Sequence, residues 1–192
     1  MSPFIITYSN FEIAKIRYGR PFFRAGYFLF VLFLIIGNKS KCQDTIHWTP
    51  GYKLQWKDFK GKPDASSPYS ALTTSGVTFN YRFSDTSFKF TVVSAFYKQL
   101  SWKKKLVDSL LLAHEQGHFD ITEIYARRLR KQLSELKPKR ETVRDEIQKI
   151  VRKIIQESKE MEALYDKETS HSRNVNAQRE WQDKILKELR PL

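Results

Sequence analysis

Five consecutive residues, His114-Glu115-Gln116-Gly117-His118, match the pattern H-E-x-x-H. On an α-helix, residues four apart lie on one face, so the two imidazoles can reach a single cation. The carboxylate of Glu115 then lies beside that cation, where it can take a proton from an attacking water and later pass it to a leaving amine. The pattern predicts a zinc site with two ligands and a general base. The alternative is an amphipathic helix with two metal-free histidines, but Gly117 favours the site, because glycine inside a helix usually marks a close approach.

A catalytic zinc usually takes three protein ligands, so a third ligand must come from elsewhere in the chain. The stretch 165–171 offers three candidates at the end of a later predicted helix. His171 is the first choice because imidazole suits zinc, and Asp166 is the alternative, either as a ligand or as the acceptor that orients a ligating histidine. Tyr165 is a candidate donor to the oxyanion of the reaction, or simply a core residue. A solvated, polar helix end is the alternative for this stretch, and Glu123 points off the ligand face and is expected to be structural.

Alternating apolar residues predict the strands that precede the motif. The alternation runs through residues 77–83 and resumes through 88–92, which indicates an antiparallel hairpin. Residues 44–62 contain spaced aromatic residues that suggest short strands, and residues 64–70 are typical of a loop.

Helical periodicity dominates the second half of the chain. We expect a first helix from an N-cap at Ser101 to about Leu136, carrying the motif, and a second from about residue 140 to 169. A third helix is expected over 175–189. The fold class is therefore α+β, with a small antiparallel sheet followed by three helices.

The N-terminal segment has the order of an export signal. Basic residues precede an apolar run over 27–36, which is too short to span a bilayer comfortably, and cleavage near Cys42 is expected. We therefore predict a signal peptide over 1–43 and a mature domain over 44–192, β-rich over 44–100 and helical over 101–192. The alternatives are an uncleaved anchor and a lipid on Cys42. The expected location is periplasmic or extracellular, with membrane or envelope association through this segment as an option.

The chain is basic, with 34 Lys and Arg against 21 Asp and Glu, but six of these basic residues and one acidic residue lie in 1–43. The predicted mature domain keeps a charge of +8 and contains no cysteine, which excludes a disulfide framework. A basic cluster over 127–140 could meet nucleic acid or an anionic surface. Acidic residues interrupt the cluster, so a solvated helix face and no nucleic-acid partner are expected.

Three runs, 112–121, 165–171 and 56–61, together resemble domain of unknown function 922. This bacterial family is often labelled as secreted zinc-dependent proteases. The resemblance implies an exported protein with a zincin-like site carried by His114, Glu115 and His118, and with 165–171 as the remaining site segment. The family tends to have glycine after the last histidine, where this chain has Ser172.

These patterns lead to two functional hypotheses. The first is a secreted zinc metallopeptidase that hydrolyses peptide bonds in peptide or protein substrates, with Zn²⁺ as cofactor and Glu115 as general base. The second is a zinc-binding envelope protein without proteolytic activity. An open coordination position separates them, because structural zinc sites are usually closed by four protein ligands.

Overall fold

The computed structural model describes residues 6–9, 44–84, 87–137 and 139–190. The apolar run over 27–36 and Cys42, on which the predicted export signal depends, lie outside these residues. Within the described ranges, none of the helices combines the length and the apolar character needed to cross a bilayer.

The main sheet has four antiparallel strands. Its core is a long hairpin of β4 (Ser75–Ser84) and β5 (Ser87–Tyr97), in which Phe79 pairs with Val92. This confirms the hairpin that the alternation predicted. The edge strands are β1 (Ile6–Ser9) beside β4 and β2 (Thr45–His47) beside β5.

A second sheet of two short strands joins β3 (Ala71–Leu72) to β6 (Trp102–Lys103). Between β2 and β3 the chain forms one turn of 3-10 helix at Trp56–Asp58 and then the loop expected over 64–70. Of the short strands expected over 44–62, the structure contains only β2.

Three helices follow the strands: α1 (Ser109–Glu135), α2 (Val143–Thr169) and α3 (Val175–Glu188). The N-cap predicted at Ser101 is wrong. The Ser101 hydroxyl accepts a hydrogen bond from the Thr74 amide at 2.9 Å, and the next two residues form β6. The helix is instead capped by Asp108, whose carboxylate accepts from the Leu111 amide at 2.8 Å. Pairing with β3 satisfies the backbone at 102–103, so the helix starts only after the loop that follows.

The helices pack together over one face of the main sheet. Phe79 and Val92 of the hairpin join Ile121 and Ile124 of α1 in the central core, which extends to buried apolar residues of α2 and α3. A smaller cluster on the other side of α1 contains Phe96 and Phe119. Helix α1 therefore lies at the centre of the molecule, and the side chains of its motif are buried among neighbouring elements.

Candidate metal centre

The two motif histidines lie one turn apart in α1, and their Nε2 atoms are 3.2 Å apart. Zinc binds histidine nitrogen at about 2.0–2.1 Å, so two ligand atoms in a tetrahedral site lie about 3.3 Å from each other. The observed separation between His114 and His118 therefore suits two ligands of one ion.

The other ring nitrogen of each histidine meets an oxygen acceptor. His114 Nδ1 lies 3.0 Å from Gln178 Oε1, and His118 Nδ1 donates to Glu162 Oε2. Metal-ligating histidines typically donate their second N–H in this way, which fixes the ring and leaves Nε2 for the ion. The two acceptors come from different helices, α3 and α2.

Both residues considered for the third ligand lie at this point. Asp166 Oδ1 is 3.1 Å from His114 Nε2, 3.2 Å from His118 Nε2 and 3.3 Å from His171 Nδ1. Ligand atoms of His114, Asp166 and His171 all lie within 4.8 Å of one another. The side chains of Asp166 and His171 are 34% and 35% exposed, against 3% for His114, so the centre is open to solvent on their side.

An unusual turn brings His171 back toward α1. Three successive residues, Ser170, His171 and Ser172, have φ of 49°, 52° and 73°, in the left-handed region that residues other than glycine rarely adopt. The glycine that the resembling family tends to have at position 172 suits this conformation. The His171 amide also donates to the Asp166 carbonyl at 3.0 Å, which ties the turn to the last turn of α2.

Tyr165 lies beneath the histidines and is fully buried. Its ring stacks on His114 with centroids 4.6 Å apart, and its hydroxyl donates to the His114 carbonyl at 3.1 Å. Burial raises the pKa of Tyr165, so the hydroxyl keeps its proton. Because that proton is used by a backbone carbonyl, the geometry favours a positioning role over the predicted donation to an oxyanion. A Cβ at Gly117 would lie 2.2 Å from this hydroxyl, which explains the mid-helix glycine.

The carboxylate of Glu115 is buried and incompletely hydrogen-bonded within the described residues, as expected of a group that contacts a metal-bound water or a substrate. Its side chain is buried, and its Oε2 has no hydrogen-bond partner among the described residues. A buried carboxylate oxygen is costly to leave unpaired. Its position beside two imidazoles fits a centre that a metal and a water complete. Glu115 is held in place through its backbone, since the Thr73 hydroxyl donates to its carbonyl at 3.1 Å.

The charged groups of this cluster shift one another's pKa values. Burial lowers the pKa of His118, but the carboxylates of Glu162 and Asp166 outweigh burial, and the pKa lies well above its usual value. Burial raises the pKa of Asp166, but the adjacent rings of His114 and His118 outweigh burial, and the pKa lies well below its usual range. The carboxylates of Glu162 and Asp166 therefore favour positive charge at this point, as a site for a cation requires.

The remaining acidic candidates have other partners. Glu123 is buried and accepts from Arg127 and Arg130, which is the structural role expected of it. Glu168, in the same stretch as Asp166, accepts from the Trp181 indole at 2.7 Å. Sequence reasoning missed Glu162 and Gln178. Glu162 could have been found, because it precedes Asp166 by four residues and so shares its helix face.

Comparison with known proteins gives one match. The family described as "Bacterial protein of unknown function (DUF922)" matches residues 51–172, which is more than half of the chain. No curated protein and no solved structure matches the chain. The matched segment contains the motif, Asp166 and His171, and it ends before α3. The chain therefore belongs to DUF922, the bacterial family of unknown function that its motifs resemble.

Proposed function

We propose that this protein is a zinc metallopeptidase with a zincin-like site. The observation that carries the proposal is the convergence of His114 Nε2 and His118 Nε2 at 3.2 Å, with each Nδ1 facing an acceptor and with the unpaired Oε2 of Glu115 nearby. His114 and His118 would hold the ion. The distances favour Asp166 as the third ligand, and His171, the first choice from sequence, is a further donor on the solvent side.

Zinc at this position would polarise a peptide carbonyl and make water a stronger nucleophile. Glu115 would take the proton of the attacking water and deliver it to the departing amine nitrogen. Glu162 and Gln178 would hold the two imidazoles, and Tyr165 would support His114 from below. The partly exposed side chains of Asp166 and His171 lie on the side from which a peptide would approach.

The first test is the zinc content of the purified protein, measured by elemental analysis. We expect about one zinc per chain, which is lost in His114→Ala and in His118→Ala. Asp166→Ala and His171→Ala identify the third ligand. His47→Ala is the matched control, because His47 is the one remaining histidine and lies exposed in β2, and it should keep the metal. A wild-type protein that takes up no zinc contradicts the proposal.

The second test separates catalysis from metal binding. Glu115→Gln should keep its zinc and lose peptide hydrolysis by at least about 10²-fold to 10⁴-fold, which is the usual range for a general base. Hydrolysis of unfolded protein and of cell-wall peptides would be followed by mass spectrometry, with chelation and zinc return as controls. Equal hydrolysis by wild type and Glu115→Gln would show that Glu115 is not the base.

The alternative is a zinc-binding envelope protein without proteolytic activity. One observation favours it: His171 Nδ1 lies 3.3 Å from Asp166 Oδ1, so His171 is available as a fourth donor that would close a tetrahedral site. X-ray absorption spectroscopy of the zinc protein decides between the two. If a small peptide-like inhibitor changes the zinc coordination, the result supports an open, catalytic site. If the inhibitor leaves the coordination unchanged and only His171→Ala alters it, the result supports a closed site.

Export to the periplasm or beyond is part of the proposal and is supported by sequence features alone. The basic residues before the apolar run at 27–36 support a signal peptide, and an uncleaved anchor is the other outcome. The mass of the protein recovered from a bacterial host distinguishes them. Loss of about 43 residues supports cleavage near Cys42, and a full-length chain in the membrane fraction supports an anchor.

A further inference from the structure

Helix α3 follows residue 172, where the family match ends, yet it supplies a buried polar side chain to the candidate centre. Gln178 is fully buried in the first turns of this helix. The helix is fixed at its start by Asn174, whose side chain accepts from the Ala177 amide at 3.2 Å. It is joined to α2 by the hydrogen bond from the Trp181 indole to Glu168 at 2.7 Å. Gln178 is therefore held on a rigid element.

Both ends of the Gln178 carboxamide are used. Its Oε1 lies 3.0 Å from His114 Nδ1, and its Nε2 donates to the Tyr165 hydroxyl at 2.6 Å. The Tyr165 hydroxyl in turn donates to the His114 carbonyl at 3.1 Å. Gln178, Tyr165 and His114 thus form a closed ring of hydrogen bonds that begins and ends on one histidine.

The backbone carbonyl of His114 fixes the direction of these hydrogen bonds. A backbone carbonyl only accepts, so the Tyr165 proton points at the His114 carbonyl, and the hydroxyl oxygen must accept from an N–H of Gln178. The amide nitrogen of Gln178 therefore faces Tyr165, and its oxygen faces His114 Nδ1. An oxygen acceptor there requires a proton on Nδ1, which leaves Nε2 of His114 directed at the shared point with His118.

We infer that Gln178 is a positioning residue that holds His114 ready to bind the metal. The inference rests on the proposed function, since it concerns the same zinc site. It adds that α3 is part of that site, although the helix lies outside the matched segment. The two histidines are held differently, His118 by the carboxylate of Glu162 and His114 by a neutral amide.

Three variants of the full-length protein test the inference. Gln178→Leu removes the acceptor while keeping a side chain of similar volume. Gln178→Glu restores an oxygen acceptor for His114 Nδ1. Gln182→Leu is the matched control, because Gln182 lies one turn further along α3 and faces a cavity lined by Leu54 and Leu112 rather than the histidines.

The first readout is zinc affinity, measured by competition with a chelator. We expect Gln178→Leu to bind zinc 10-fold to 100-fold more weakly, which is the usual effect of losing such an acceptor. Gln178→Glu should recover most of the affinity, and Gln182→Leu should match the wild type. A folded Gln178→Leu protein with wild-type zinc affinity overturns the inference.

The second readout is the Nδ1–H proton of His114 in the metal-free protein, observed by ¹H–¹⁵N NMR. It should be present in the wild type, Gln178→Glu and Gln182→Leu, and its signal should be weakened and shifted in Gln178→Leu, where the Thr169 hydroxyl oxygen at 3.4 Å is the acceptor left beside Nδ1. Its absence in the wild type overturns the inference even if Gln178→Leu fails to fold. If the wild type binds no zinc, the proposed function fails, while this proton still shows whether Gln178 positions His114.

Discussion

Two buried glutamates on α1 differ in how completely the protein surrounds them. Glu123 accepts from Arg130 Nη1 at 2.8 Å, from Arg127 Nε at 3.1 Å and from the Ser94 hydroxyl at 2.5 Å. Glu115 lies two turns earlier, and its Oε2 has no partner among the described residues. The same helix therefore carries one carboxylate whose interactions are complete and another whose interactions are not.

The difference separates a structural charge from a reactive one. Around Glu123, each hydrogen bond joins α1 to itself or to the sheet, so the charge stabilises the packing of the helix on β5. Glu115 acts through its charge on His118, whose imidazole converges with that of His114 on a common point, and its Oε2 forms no hydrogen bond among the described residues. Groups kept for chemistry usually lower stability in this way. The comparison can be tested by removing each charge in turn.

The largest effect is expected at Glu123. Glu123→Gln should lower the free energy of unfolding by about 2–4 kcal/mol, because Arg127, Arg130 and Ser94 lose their charged acceptor. Breaking a fully buried ion pair costs about 3–5 kcal/mol, and the partial exposure of the two arginines reduces this cost. Urea denaturation of the metal-free protein measures it. The control is Glu188→Gln, which breaks the exposed pair with Arg128 and should cost less than about 1 kcal/mol. Similar losses in both variants would contradict the structural role of Glu123.

Gly117→Ala should cost about 1–3 kcal/mol. The new Cβ would lie 2.2 Å from the Tyr165 hydroxyl and 2.7 Å from Cζ, and this ring is fully buried and cannot move aside. An ordinary glycine in a helix would instead be stabilised by alanine by up to about 1 kcal/mol, so the sign of the change is informative. Thermal denaturation measures it. Combining the variant with Tyr165→Phe, which removes the hydroxyl, should recover part of the loss, and strict additivity of the two changes would argue against this contact.

Glu115→Gln should change the stability of the metal-free protein by less than about 1 kcal/mol, because a neutral amide replaces a buried carboxylate whose Oε2 has no hydrogen-bond partner among the described residues. The same urea series as for Glu123→Gln measures it. A loss as large as that of Glu123→Gln would mean that Glu115 has a structural partner, and the contrast between the two glutamates would disappear.

An effect of similar size is expected at the turn after α2. Ser172→Gly should raise the free energy of unfolding by about 0.5–1 kcal/mol, because glycine adopts φ of 73° without the steric cost that serine meets. The control is Ser158→Gly within α2, which should lower stability by a similar amount. A loss of stability in both variants would show that the turn is not strained at Ser172.

Local periodicity predicted the elements with a regular apolar pattern. The β4–β5 hairpin and helices α2 and α3 lie where the pattern placed them, because each buries one face against a single core. The start of α1 was mispredicted at Ser101, since the pairing of β3 with β6 is a contact between distant residues that no local pattern contains. Arg127 and Arg130, expected on a solvated face, instead reach Glu123 of the same helix, at spacings of four and seven residues that the sequence does contain.

The sequence likewise predicted the local part of the site and missed the part that depends on distant contacts. The spacing of four between His114 and His118 is local, so the sequence predicts that the rings share a face, and residue chemistry directs attention to 165–171. The choice between Asp166 and His171 depends on the left-handed turn at residues 170–172. The sequence does not reveal this turn, because none of its three residues is glycine. Gln178 is 64 residues from His114 and belongs to another helix, and nothing in its own neighbourhood marks it.

The end of the family match at residue 172 also bears on how the chain would respond to shortening. Trp181 and Ile185 of α3 are buried in the same core as Tyr165 and Ile121. The family match and the unit that folds cooperatively therefore end at different points in this chain. A chain cut at 172 would expose that core and leave the Tyr165 hydroxyl without its donor, so the smallest autonomous unit must extend through α3.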